Sequence, residues 1–123
     1  MLENLIPVLE RLKENKGIRA IFLFGSYARE DNHANSDIDL CIIGELSQNE
    51  RMKILRDTDE KFDISFFDEL PIYIKFAIFR EGKALFCNDE DYLFLLKNKT
   101  LHDYFDFKIR ILNKHIVERI KNA

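Results

Sequence analysis

The sequence predicts an α/β (α+β) domain, a small mixed β-sheet flanked by helices and followed by a long C-terminal helix. Three observations predict it. Apolar runs rich in β-branched and aromatic residues at 18–24, 38–43 and 62–67 alternate with stretches of helical periodicity. Gly17, Gly25, Gly44 and Gly82, the only four glycines, each fall where a segment should end. No Gly or Pro interrupts residues 89–123. With 123 residues and 46% hydrophobic content, the chain suits one domain whose ordinary core needs neither disulfide nor structural metal. We read residues 1–123 as that single domain, with a core at about 1–90 and a helical region at about 89–123.

Taken in order, Leu5, Ile6, Val8, Leu9 and Leu12 have helical spacing, with Pro7 in the first turn and Gly17 placed as a left-handed stop. Residues 18–24 lack polar alternation, as in a strand covered on both faces. Residues 38–43 form a second strand, ended by Gly44. Ser47 and Glu50 make a capping box opening an amphipathic helix to about Lys61, and a third strand follows at 62–67. Pro71 precedes a short helix ending at Gly82, and residues 83–86 suit a fourth, minor strand. Asp89, Glu90 and Asp91 put negative charge at the start of the last helix, where its dipole favours it. There Leu101, Phe105, Ile109, Leu112, Ile116 and Ile120 recur every three or four residues, widened by Tyr104, Phe107 and Ile111. The first expectation is a helix packed on the sheet; the sharper one is that part of this face docks another chain.

Nineteen Lys+Arg against 22 Asp+Glu give a net charge of -3, which demands neither nucleic acid nor an anionic membrane as partner. Cys41 and Cys87 stand far apart without metal-ligand spacing, so we expect two buried thiols in a reducing cytoplasm. No apolar run approaches the ~18 residues of a membrane span, and Glu3 breaks any signal-peptide pattern.

The chemistry lies in Gly25-Ser26-Tyr27-Ala28-Arg29, directly after the first strand, and Ser36-Asp37-Ile38-Asp39-Leu40, which opens the second. Asp37 and Asp39, two apart in an extended segment, project from one face. Such carboxylates repel unless a cation joins them, and hard oxygen ligands favour Mg²⁺ or Mn²⁺. Gly25 lets the backbone turn sharply, Ser26 opens a helical turn whose amides and hydroxyl suit phosphate oxygens, and Arg29 lies one turn further on. For these pieces to meet, the first two strands must be antiparallel neighbours. A parallel crossover then brings Asp63 beside the pair, facing as Ser65 does, with Asp68 as the alternative third carboxylate. Three carboxylates opposite a phosphate-binding turn are the equipment of two-metal phosphoryl or nucleotidyl transfer. Gly-Ser, ten residues, Asp, any residue, Asp arises by chance in about two chains per thousand of this length. The bland alternative makes Ser26 a helix cap, the Asp pair a solvated strand end and Arg29 a surface charge.

At Phe22-Leu23-Phe24-Gly25-Ser26-Tyr27-Ala28-Arg29, Asp37, Asp39, Phe62-Asp63-Ile64 and Asp68-Glu69-Leu70-Pro71 the sequence resembles the minimal nucleotidyltransferases of the DNA polymerase beta-like superfamily, over about residues 1–90. The resemblance implies a nucleotidyltransferase fold in which Asp37 and Asp39 bind two Mg²⁺ ions, Asp63 completes the set and helps deprotonate the acceptor, and Gly25, Ser26 and Arg29 hold ATP. It also implies an antitoxin that moves AMP from ATP to a tyrosine of an HEPN-domain toxin. We expect the chain to end with its catalytic domain, so that the acceptor would have to bring its own surface. Two rivals are an antitoxin that neutralises by binding alone, and a small-molecule (aminoglycoside-type) nucleotidyltransferase. The sequence leaves open a homodimer or a hetero-oligomer with the toxin.

His102-Asp103-Tyr104 spells the end of an HEPN ribonuclease motif, but Lys97 stands near where its arginine belongs. His33 reads as a loop residue and His115 as helix surface. Tyr27 either contacts nucleotide or packs on the sheet.

Overall fold

The computed structural model describes residues 4–30 and 37–123. Its elements are α1 (Leu5–Lys13), β1 (Ile18–Phe24), α2 (Ser26–Arg29), β2 (Ile38–Gly44), α3 (Gln48–Asp57), β3 (Phe62–Phe66), a 3₁₀ turn (Phe67–Glu69), α4 (Ile72–Glu81), β4 (Lys83–Cys87) and α5 (Glu90–Lys121). The four strands form one sheet in the order β3-β2-β1-β4. β1 is antiparallel to both β2 and β4, whereas β2 and β3 run parallel. This is the mixed sheet the sequence predicts, with β4 on the far edge.

Apolar runs without polar alternation become strands buried on both faces. Ile18, Ile21 and Leu23 of β1 join Leu5, Val8 and Leu12 of α1 on one side. Ala20 and Phe22 face the other side, with Ile78 of α4 and Leu93 and Leu96 of α5. Burying each large side chain contributes about 1.5–3 kcal/mol, so the central strands anchor the domain. At α3, Ser47 Oγ accepts from the Glu50 amide at 3.2 Å and Glu50 Oε1 accepts from the Ser47 amide at 3.1 Å, the predicted capping box. Asp89 caps α5 by accepting from the Tyr92 amide at 3.0 Å and also receives Arg19 at 2.7 Å.

Five expectations need correction. Helix α3 stops at Asp57, not Lys61, because Thr58 turns extended and its hydroxyl donates back to the Ile54 carbonyl at 2.6 Å. Arg11 donates to the freed Asp57 carbonyl and to Thr58 Oγ1, holding that end against α1. β3 ends at Phe66, where the chain tightens into the 3₁₀ turn. Cys41 is buried, but Cys87 on the edge strand is only half-buried.

Gly17 is not a left-handed stop, since α1 has already ended at Lys13 and positive φ among glycines is confined to Gly25 and Gly44. It is needed for close approach: a Cβ there would run into the Glu45 carbonyl oxygen and the Leu46 side chain. Gly17→Ala is therefore expected to cost about 1–3 kcal/mol, as overpacking does. A left-handed cap would tolerate asparagine, so Gly17→Asn unfolding at no lower urea concentration than wild type would contradict this reading.

The C-terminal helix departs furthest from its first expectation. Only Thr100 is buried along its 32 residues, and every residue from Phe105 onward is exposed. At 1.5 Å per residue the helix is about 48 Å long, more than the four strands can cover, so its second half projects beyond the sheet.

Candidate active site

The turn after β1 is built by Gly25, whose φ of 73° and ψ of -151° put it in a region that favours glycine. One turn of helix follows, with the Arg29 amide donating to the Gly25 carbonyl at 3.2 Å. Tyr27 and Ala28 turn inward to the apolar cluster around α1, which leaves Ser26 and Arg29 nearer solvent. Tyr27 thus packs on the sheet; its hydroxyl has no hydrogen-bond partner among the described residues.

Strand register then assembles the edge. Phe24, the residue before Gly25, pairs with Asp39 across the antiparallel ladder, and Asp39 pairs with Asp63 across the parallel one. The space that a Gly25 side chain would need is filled by the Asp39 carboxylate, so glycine is required for shape as well as for φ. Gly25, Asp39 and Asp63 meet at one end of the sheet as the spacing requires. Asp37 sits just outside β2, exposed, and its charge acts on Asp39.

The electrostatics at Asp39 are unfavourable by construction. Partial burial, then the neighbouring charge of Asp63 and the hydrogen bond shared with it, then Asp37, push its carboxyl from an ordinary 3.8 up to about 6, against a smaller opposing pull from Arg29. Asp68 has the opposite environment. Its carboxylate accepts two hydrogen bonds from Arg51, at 2.7 and 2.8 Å, and these hold its pKa below the ordinary value. Asp63, therefore, is the third strand's contribution to this edge, and Asp68 belongs to an ion pair.

Asp39 and Asp63 offer hard oxygens and mutual repulsion, which fits a divalent cation. No group of three or more His, Cys, Asp or Glu side chains that could hold a metal converges among the described residues. Lys83 was missed in the sequence. It opens β4 opposite Leu23, and its Nζ lies 3.1 Å from Glu30, the left-handed cap of α2. Placing β4 antiparallel on the free edge of β1 would have brought its first residue to this rim. His33 and Ser36 lie outside the described residues, and His102 and His115 are exposed on α5, far along the chain from these strands.

Comparison with known proteins follows the same lines. Residues 6–91 match the family described as Polymerase beta, Nucleotidyltransferase. The chain belongs to this nucleotidyltransferase family. A Methanocaldococcus jannaschii protein provisionally named as the protein adenylyltransferase MJ1547 is 42% identical over 66 residues, 54% of this chain and 53% of that one. The match thus spans about half the length of that curated relative. Among solved structures, a chain from a toxin-antitoxin crystal structure with AMP-PNP superposes with a TM-score of 0.72 at 23% identity, covering 98% of both chains. A chain from a complex of tri-AMPylated Shewanella oneidensis HEPN toxin with MNT antitoxin gives 0.63 at 20% identity, covering 95% of this chain and 92% of that one. These likenesses establish the nucleotidyltransferase fold, and both extend over the C-terminal helix.

A carboxyl that holds its proton more tightly when folded costs stability as pH rises. For Asp39 the cost enters between 3.8 and about 6 and persists above. In chelator-treated protein at pH 8, Asp39→Asn should be more stable than wild type by about 1–2 kcal/mol, a figure reduced for the solvent that still reaches this half-buried group. The difference should fade in urea titrations as the pH falls through 3.8 to about 3, where both proteins are neutral at that position.

Proposed function

We propose that this chain is a Mg²⁺-dependent adenylyltransferase that moves AMP from ATP to a tyrosine hydroxyl of an HEPN toxin and thereby acts as its antitoxin. The observation that carries the reading is the Asp39-Asp63 pair set against the Gly25 turn at an exposed sheet edge. Family membership supports the reaction class, and the names of the Methanocaldococcus relative and the Shewanella complex support a protein acceptor.

In this reading Gly25, Ser26 and Arg29 bind the triphosphate, the first two through the turn and the last through its charge. Asp37, Asp39 and Asp63 would hold two Mg²⁺ ions, which when bound supply positive charge to the reacting phosphate and the departing pyrophosphate. The acceptor oxygen attacks the α-phosphorus, a new P–O bond forms, and the bond to the bridging oxygen breaks with its electron pair leaving on pyrophosphate. Asp63, the exposed member of the pair, receives the hydroxyl proton. Both Asp37 and Asp63 face solvent, so an acceptor carried on another protein can reach them.

The test is transfer of label from ATP marked on its α-phosphate to a co-purified HEPN toxin. Asp37→Asn/Asp39→Asn should reduce labelling at least about 100-fold with the fold retained by circular dichroism, and Gly25→Ala should do the same. Undiminished labelling by the folded double variant would sink the mechanism. A stable toxin complex without label would establish neutralisation by binding instead, and label on a small molecule alone would redirect the acceptor.

A further inference from the structure

The second half of α5 carries an apolar stripe that its own domain leaves largely exposed, with Phe105 alone meeting the ring of Phe76 in α4 edge-on at 6.4 Å among the described residues. Phe105, Ile109, Leu112, Ile116 and Ile120 are all large, apolar and exposed, and the half-buried Leu101 begins the series. At about 100° per residue, the stripe is centred roughly 150° around the helix from Leu93, Leu96 and Thr100, the residues that face the domain. Beyond the Phe105–Phe76 contact, the described residues leave this face open to a second helix laid along it.

The spacing names the occupant. From Leu101 to Ile120 the intervals are four, four, three, four and four, a series that is the same in either direction. Two copies laid antiparallel about a two-fold axis between Arg110 and Ile111 match Leu101 with Ile120, Phe105 with Ile116, and Ile109 with Leu112 of the second copy. Every layer is then apolar against apolar, with no charge in the seam, and the contact is self-complementary as an isologous interface must be. Charge agrees with this direction. Residues 105–123 carry five Lys+Arg against two Asp+Glu, while residues 1–104 carry 14 against 20. Antiparallel pairing brings the basic end of each helix, with Arg119 and Lys121, to the acidic domain of the other copy.

We infer that α5 is a homodimerisation helix, pairing antiparallel with a second copy of this chain through Leu101, Phe105, Ile109, Leu112, Ile116 and Ile120. The inference does not rest on the transfer reaction, and either can fail alone. Sedimentation of the full chain without any toxin should give twice the monomer mass of 14.7 kDa, with dissociation in the micromolar range. Ile109→Glu and Leu112→Lys should each weaken the dimer at least about 100-fold. Their side chains are 57% and 58% exposed in the monomer, so helicity should be unchanged. Ile109→Glu/Leu112→Lys together sets Glu against Lys in both central layers of the antiparallel pair and should restore dimerisation, whereas a parallel pair would oppose like charges. A monomer at every concentration, a dimer indifferent to the single changes, or a double variant that stays monomeric would each overturn the inference. So would a monomer whose α5 stripe is needed only for binding the toxin.

Discussion

The repulsion between Asp39 and Asp63 is the constraint around which the domain is arranged. Two carboxylates in register on adjacent parallel strands, one of them half-buried, cost free energy that isolated strands could not sustain. They are held because β2 is a central strand whose Ile38, Leu40, Cys41, Ile42 and Ile43 are buried among two helical layers. The unfavourable pair is tied to the most stable part of the fold, so repulsion cannot be relieved by moving the strands apart. What remains is to take up a proton or a cation.

Sheet order follows from the same requirement. The glycine turn after β1 can meet a carboxylate at the start of β2 only if the two strands are antiparallel, and Asp63 at the start of β3 can join only if β3 runs parallel to β2. Helix α3 is the connection that the parallel step requires. Its ends are fastened from both sides, by the Ser47-Glu50 box at the start and by Arg11 on the Asp57 carbonyl at the finish. Glu50 also accepts from Asn15 at 2.8 Å, which joins the start of α3 to the loop before β1.

Most of this was legible because local signals and long-range demands agreed. Strand runs without polar alternation identified a sheet covered on both faces, and the separation of Gly25 from Asp39 settled strand direction before any contact was known. What escaped the sequence was set by distant neighbours. Gly17 looked like a helix stop because glycine so often is one; its actual reason is the Glu45 carbonyl, a contact 28 positions along the chain. The early end of α3 depends on Arg11, from another helix. Lys83 was hidden because a minor strand gives no hint of which edge it will join. In α5, periodicity gave the helix and its stripe correctly, but it cannot tell how far a small sheet extends beneath a long helix.

The distribution of cations explains why one acidic cluster reads as a site and another does not. Asp68 and Glu69 are adjacent in sequence, and both receive Arg51 Nη1, at 2.7 and 2.6 Å. Arg51 is itself buried and lies over the ring of Phe66 at 5.0 Å, so it is fixed where these two carboxylates need it. Their charge is satisfied by the protein, and what they accomplish is to fasten the turn after β3 to α3. At Asp39 the influences that raise its pKa outweigh the opposing pull of Arg29, and its shared hydrogen bond is with another carboxyl. The described residues thus neutralise Asp68 and Glu69 from within and leave Asp39 and Asp63 at the sheet edge to share a hydrogen bond, with the carboxyl of Asp39 raised to about 6.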